Sequence, residues 1–513
     1  MQQRWYLAID LGTGGSKVAA VDEDGVVLAS AFRSIDTVLS ADGGSEQDPE
    51  QWWHGISDAA REVITVAAQT SPCSGVGITG QWGSTIPVDA GGRAIGPCML
   101  WSDQRGALWS SALVGGSVKV AGYNPAKIVR WLRLAGGAPS PAGADPTGHS
   151  LFLQHQRPEL YRAAHALIEP MDYIGARLTG RIAATPASMV LSWLTDNRVG
   201  APIGYSAALV KLARRDPNQL PTLVPTGSVL GTVSANIGAE LGLSPDTPVV
   251  CGAPDLHTAA IGAGAVADFA GHIAISTTAW VSAPVPFKKT DIARQMASIP
   301  GVRAGSYLIA NNHDTGGAAL RWIRDAIVTD ADYAGLTSEA ANARPGCGGV
   351  IFCPWLNGER SPVEDHNLRA SFLNVSLSTT RADLIRAVLE GVAYNGRWLL
   401  EATEKFAGRP LDGLRLLGGG AQSELWCQIH ADVIGRPIHQ VSDPINVNVR
   451  GVAWFAAMHL GHITLADIAK RTPAARVFTP DASASSVHAP LYAEFVRLAR
   501  SQRAMYRRLN GSL

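Results

Sequence analysis

Ala8-Ile9-Asp10-Leu11-Gly12-Thr13-Gly14-Gly15-Ser16-Lys17 is the stretch on which the fold turns. The apolar run Tyr6 to Ile9 predicts a strand that ends in an aspartate. A glycine-rich turn follows, then a cation, then a second apolar run from Val18 to Val21. The turn carries little side-chain bulk, so its backbone N–H groups and the Thr13 hydroxyl stay open. Such a nest suits phosphate oxygens. Asp10 beside it suits a hydrated Mg²⁺, which takes one or two carboxylates and bridges nucleotide phosphates. The competing reading is a tight hairpin with a solvated aspartate, and this stretch alone leaves both open.

Neither common nucleotide fingerprint fits. A P-loop counted from Gly12 needs its second glycine where Lys17 stands, and a dinucleotide fingerprint needs its third glycine there too. The second apolar run also follows too closely for a βαβ crossover, which predicts an antiparallel hairpin. The pattern resembles the phosphate loop of the actin, hexokinase and Hsp70 ATPases.

At 513 residues the chain exceeds one hydrophobic core, so at least two domains are expected. Its 43 basic and 43 acidic residues balance. That argues against a nucleic-acid binder or a membrane-surface protein, both of which show a basic excess. Cys73, Cys98, Cys251, Cys347, Cys353 and Cys427 form no C-x-x-C pair. They read as reduced thiols of a cytoplasmic protein. The start Met1-Gln2-Gln3-Arg4-Trp5 runs straight into the first predicted strand, so no signal peptide is expected. The uncharged stretch Val63 to Val88 holds too many polar and glycine residues to span a bilayer. The histidines form no ligand cluster, which argues against structural zinc.

Further strands are expected at Val26–Ser34, Gly75–Thr79, Gly271–Ser276, Val281–Val285, Gly413–Leu417 and Ile438–Val441. Glu46-Gln47-Asp48-Pro49-Glu50 opens a helix carrying Trp52, Trp53 and Ile56, with Pro49 and Glu50 suited to a first turn. Helices are also expected at Lys127–Leu134, Pro158–Leu178, Arg381–Phe406 and Glu424–Ile434. The domain boundary is placed near 250, giving domains 1–250 and 251–513. An Arg-rich amphipathic helix, Tyr492 to Leu509, reads as a solvated face closing the second domain rather than a calmodulin or membrane site.

Two more segments carry chemistry. Gly252-Ala253-Pro254-Asp255 precedes a small-residue run, so Asp255 projects from a helix N-terminus, where the dipole stabilises a carboxylate. That suits accepting a proton from an alcohol as a phosphoryl group arrives. A plain helix cap is the alternative. Gly262 and Gly264 would let this helix approach another backbone closely. Gly418-Gly419-Gly420-Ala421-Gln422-Ser423 lies between a strand and a helix. It reads either as an incomplete dinucleotide loop, with Asp443 as the distal acid, or as a loop against which adenosine packs.

Taken in order, these segments resemble the FGGY family of carbohydrate kinases, nearest to xylulose kinases. The resemblance rests on Asp10 to Gly14, Glu46 to Trp53, Gly252 to Gly264, Pro354 to Pro362, Gly418 to Gln428, and Ala431 to Pro437. It implies two RNase H-like α/β domains around a central cleft, with ATP and Mg²⁺ as cofactors and a sugar or polyol as substrate. It assigns Mg²⁺ to Asp10 and the phosphates to Gly12, Thr13 and Lys17. Thr277 and Thr278 take the second phosphate hairpin. Gly317, Gly419, Gly420 and Ser423 take nucleotide positions. Asp255 takes the general-base slot, and Gln81, Trp82 and Asp103 take sugar contacts. A homodimer is the assembly to test.

The chain departs from xylulose kinases where they resemble Gly-Gln-Met-His-Gly, since it reads Gly80-Gln81-Trp82-Gly83-Ser84. Leu256 stands where an asparagine usually follows the base, and it cannot donate to a hydroxyl. Ser276 replaces the usual leading glycine of the second hairpin. Xylulose is the first expectation, and a deoxy sugar, tetrose or other polyol the second. An NAD-dependent oxidoreductase and a non-catalytic sugar sensor are the readings from other classes.

Overall fold

The computed structural model describes residues 4–511 except Thr70, Ala121, Ala304 and Pro473. The Met1-Gln2-Gln3 start, on which the signal-peptide expectation rests, lies outside them. Among the described residues no helix is long and apolar enough to cross a membrane.

The first sheet begins with the expected hairpin, β1 (Trp5–Gly12) against β2 (Gly15–Asp22), and continues into β3 (Val27–Ser34). Helix α1 (Pro49–Ala67) starts on Asp48, whose side chain accepts from the Glu50 N–H at 2.9 Å. Strand β4 (Cys73–Gly80) runs parallel to β1. On its far side lie β5 (Val229–Thr232), β6 (Pro248–Val250) and the short β7 (Ala253–Pro254), which leads into helix α2 (Asp255–Gly262).

The second sheet repeats the pattern. A hairpin of β8 (Ala270–Ile275) and β9 (Ala279–Ser282) comes first. Helix α3 (Arg381–Ala407), capped reciprocally by Thr380 and Asp383, then delivers β10 (Asp412–Leu417) parallel to β8. Helix α4 (Glu424–Ile434) leads to β11 (Ile438–Val441), parallel to β10. After helix α5 (Val447–His459), strand β12 (Ala474–Phe478) closes the edge antiparallel to β11.

Period-two alternation in β1 and β2 serves two cores at once. Leu7, Ile9, Leu11 and Val18 face Trp52, Trp53 and Ile56 of α1. Tyr6, Ala8, Ala19 and Val21 face Val449, Val452, Ala453 and Phe455 of α5. Thus a helix from late in the chain covers one face of the first sheet. Glycines make this approach possible. A Cβ on Gly262 would stand 1.9 Å from the Val447 carbonyl oxygen, and one on Gly451 would stand 1.9 Å from that of Thr258. The expected close approach therefore holds at Gly262. Gly264 instead takes a left-handed turn (φ +68°) just past α2.

Two expected elements differ. Pro158–Leu178 is not one helix but Pro158–Ala163, a strand Ala166–Ile168 and a helix Pro170–Thr179. Pro170 cannot supply the N–H an interior helical position requires, so the helix restarts there. The C-terminal segment is the end of Ala482–Ser501 followed by Arg503–Asn510. Tyr492, Phe495, Ala499 and Tyr506 are buried in the second core, while the Arg497 side chain stays exposed.

Candidate active site

Three chain segments end side by side at the carboxyl edge of the first sheet. In register, Asp10 of β1 stands beside Thr79 of β4, and Leu11 beside Gly80. On the other side of β4, Ala253 stands beside Thr79 and Pro254 beside Gly80. Asp10, Gln81 and Asp255 are thereby brought to one place. The Thr79 hydroxyl ties the strands together, donating to the Ala253 carbonyl at 2.8 Å.

The charge of Asp10 adds to the cost of ionising Asp255. Burial, then the charge of Asp10, pushes Asp255 up to about 7, while the Leu256 N–H, 2.7 Å from Oδ1, pulls the other way. Burial lifts Asp10 to about 6, against Lys17 across the hairpin and a hydrogen bond with the Asn448 side chain. Two buried carboxyl groups at one sheet edge suit a hard divalent cation.

Lys17 reaches across to the loop before α5. Its Nζ donates to the Ile445 carbonyl at 3.0 Å and to Asn446 Oδ1 at 3.1 Å. Thr13 turns the opposite way. Its hydroxyl donates to Gln81 Oε1 at 3.1 Å and accepts from the Trp101 indole at 3.2 Å. Gln47 completes this cluster. Its amide donates to the Thr13 carbonyl, and its oxygen accepts from Gln81 and from the Trp52 indole. Gly12 is not forced by packing, since a Cβ there would meet only the Gly15 oxygen at 3.4 Å.

Trp82 is half-buried, and its indole donates to the Ser188 carbonyl at 3.0 Å. Its ring joins Val190, Leu191, Leu256 and Trp280 in one apolar cluster. Asp103 does not join this group in the open. It is fully buried, held by Arg105 on both oxygens and by the Ser45 N–H at 2.9 Å. Arg105 also pairs with Glu46 at 2.6 Å.

At the second hairpin, Thr277 is exposed and Thr278 partly so. The turn's carbonyls are taken by the start of the next helix: Gly317 N–H to Ser276 at 2.6 Å, and Gly316 N–H to Thr277 at 2.9 Å. Gly317 has no room for a side chain, since a Cβ would stand 2.7 Å from the Ser276 oxygen. Gly418 turns with φ +89° against the Ile275 carbonyl, and Gly420 packs on the Ile275 side chain. Gly419 alone faces open space. Ser423 caps α4, accepting from the Trp426 N–H at 3.2 Å. This turn is a single 3₁₀ segment, Gly419–Gln422, in the crossover from β10 through α4 to the parallel β11. Asp443 accepts from Asn446, three residues on.

The sequence reading passed over Gln47, Trp101 and Glu169. Glu169 is buried and accepts from the Gly83 and Ser84 N–H groups at 3.1 and 3.0 Å. Burial holds its carboxyl well above the usual range, and lifts its neighbour Asp172 to about 8. Gln47 sat within a quoted motif as part of a helix start. The only local signal for Glu169 was a carboxylate in an apolar run before a proline.

The chain matches two family models. The N-terminal domain of the FGGY family of carbohydrate kinases matches residues 5–133 and 147–262, and the C-terminal domain matches residues 276–460. A xylulose kinase of Staphylococcus epidermidis is 27% identical over 469 residues, covering 90% of this chain and 89% of that protein. A gluconokinase of Bacillus subtilis is 25% identical, covering 84% of this chain and 82% of that protein. The crystal structure of xylulose kinase from Rhodospirillum rubrum superposes with a TM-score of 0.82 at 25% identity, covering 98% of this chain and 100% of that one. That of gluconate kinase from Lactobacillus acidophilus superposes with a TM-score of 0.85 at 21% identity, covering 99% and 100%. The two α/β halves are RNase H-like domains, and the oxidoreductase reading of Gly418–Gly420 gives way. The chain is a carbohydrate kinase and belongs to the FGGY family.

Proposed function

We propose that this kinase moves the γ-phosphoryl group of ATP to a hydroxyl of a small sugar or polyol, with Asp255 as general base. The observation that carries this is the pairing of Asp10 and Asp255 at the ends of β1 and β7. Asp255 accepts the proton of the attacking hydroxyl. A carboxyl lifted to about 7 is matched to that task near neutral pH. Asp10 would hold Mg²⁺, whose charge neutralises that developing on the phosphates. Gly12, Thr13 and Lys17 line the phosphate turn. Thr277, Thr278, Gly317, Gly419, Gly420 and Ser423 border the nucleotide. Gln81 and Trp82 contact the sugar, and the buried Asp103 holds Arg105 in place. We divide the chain into domains 1–250 and 251–513 and place it in the cytoplasm.

D-xylulose is the first candidate substrate, because relatives named for it span nearly the whole chain. The apolar cluster of Trp82, Leu191 and Leu256 favours a second. A deoxy sugar, tetrose or pentitol leaves fewer hydroxyls unpaired against such a wall. ADP release measured side by side on xylulose, ribulose, gluconate, arabitol, xylitol, glycerol, erythrulose and fuculose separates them. A lead of about 10²-fold in kcat/KM for xylulose, the scale pocket contacts supply, defeats the second candidate. No turnover of any member defeats the first as well and favours a sensor.

A further inference from the structure

We propose that Glu169 is a positioning residue for the sugar, fixing from behind the loop that presents Gln81 and Trp82. This rests on the reading that the loop contacts substrate. Glu169 stands at the start of the helix Pro170–Thr179 but does not cap it. Its Oε2 instead crosses to β4's outlet and accepts from two consecutive backbone N–H groups, those of Gly83 and Ser84. Gly83 sits at φ +83°, a left-handed bend just after Trp82. One carboxylate oxygen therefore sets where that bend lies.

The grip extends further. The Ser84 hydroxyl accepts from the Trp101 N–H at 3.2 Å, and the Trp101 indole in turn donates to Thr13. On the other flank the Ser188 carbonyl holds the Trp82 indole. Glu169 thus grips the loop just past Trp82, while Ser188 holds the Trp82 side chain itself. Glu169 Oε1 has no partner among the described residues. The side chain is spent on the loop alone, since only Oε2 is engaged. Removing it strands two buried N–H groups, which the loop can satisfy only by moving.

The test uses the full chain and whichever of D-xylulose, D-ribulose, D-gluconate and glycerol it turns over best. Glu169→Ala and Glu169→Asp both withdraw the acceptor, and Asp keeps a carboxyl should Ala not fold. Each is expected to raise the sugar KM about tenfold or more, with kcat and the ATP KM within about threefold of wild type, the pattern of lost ground-state positioning. Glu169→Gln keeps an oxygen acceptor in place and is expected to restore the sugar KM to within about threefold. An unchanged sugar KM in Ala or Asp overturns the proposal. So does a joint fall of kcat, both affinities and Tm in all three variants, which marks a general structural role. Gln81→Ala is run beside them. If it leaves the sugar KM unchanged, the sugar-site reading falls and the proposal with it. If it raises that KM while Glu169→Ala does not, only the proposal falls.

Discussion

Asp255 combines two roles that oppose each other, and a single substitution separates them. As the proton acceptor it is needed for turnover. Asp255→Asn is expected to lower kcat by about 10²–10⁴, the worth of one positioned base, with ATP affinity unchanged in a direct binding titration. As a buried carboxyl beside Asp10 it weakens the fold. Its folded value of about 7 lies above the ordinary 3.8, so between pH 4 and 7 the folded chain holds a proton that the unfolded chain releases. Stability is lost progressively as pH rises through that window, and the loss is complete above it. Asparagine never ionises and escapes the loss. Without metal or nucleotide, the variant's Tm advantage over wild type should therefore grow from pH 5 to pH 8, by a few °C for a change on the order of 2 kcal/mol. A constant difference across that range contradicts the assignment. Asp10→Ala should act differently, shifting the Mg²⁺ concentration for half-maximal rate upward by about tenfold or more. An unaltered Mg²⁺ titration makes Asp10 a turn residue only.

At the scale of elements, the site depends on how α2 lies on α5. Thr258 begins the contact one turn after Asp255, and its carbonyl would clash with any Cβ on Gly451. Gly451→Ala must push the helices apart, at a cost of about 3 kcal/mol or more, since backbone rather than a pliable side chain is in the way. Thermal unfolding should show a Tm several degrees lower, with kcat reduced as Asp255 moves off the β7 edge. A Tm equal to wild type contradicts the packing. The sequence made half of this contact readable. Gly262 stood in a run of small residues, which pointed to a close neighbour, but nothing near it named α5, nearly 200 residues away. The same limit governs the site. Asp10, Thr13 and Asp255 could be picked out because each lies in a local turn with its own geometry. Gln47, Trp101 and Glu169 act through partners far along the chain, and no local pattern marks such a contact. The Gly418–Gly420 run was ambiguous for a related reason: at Gly418 and Gly420 the glycine answers to Ile275 on a neighbouring strand, whereas Gly419 is open. The run Pro158–Leu178 breaks at Pro170, whose missing N–H ends the helical pattern there.

Across the whole molecule, the proposed sugar contacts and the first phosphate turn belong to the first sheet, and the other proposed nucleotide contacts to the second. Phosphoryl transfer then requires the two to approach and exclude water. Small-angle scattering with sugar and a non-hydrolysable ATP analogue together should give a smaller radius of gyration than with either alone. No change at saturation contradicts a moving cleft. Lys17, already bonded to Ile445 and Asn446, marks where the halves meet even without ligand.

Because α5 lines the face of β1 and β2 that carries Tyr6, Ala8 and Val21, the first sheet has a debt to the end of the chain. During synthesis the N-terminal strands emerge from the ribosome long before Val447. At 5–20 residues per second, roughly 20 to 90 s pass before their cover arrives. Throughout that interval an apolar sheet face is presented to whatever is nearby. A stalled or truncated product ending before α5 therefore carries an unfinished interior rather than an independent half.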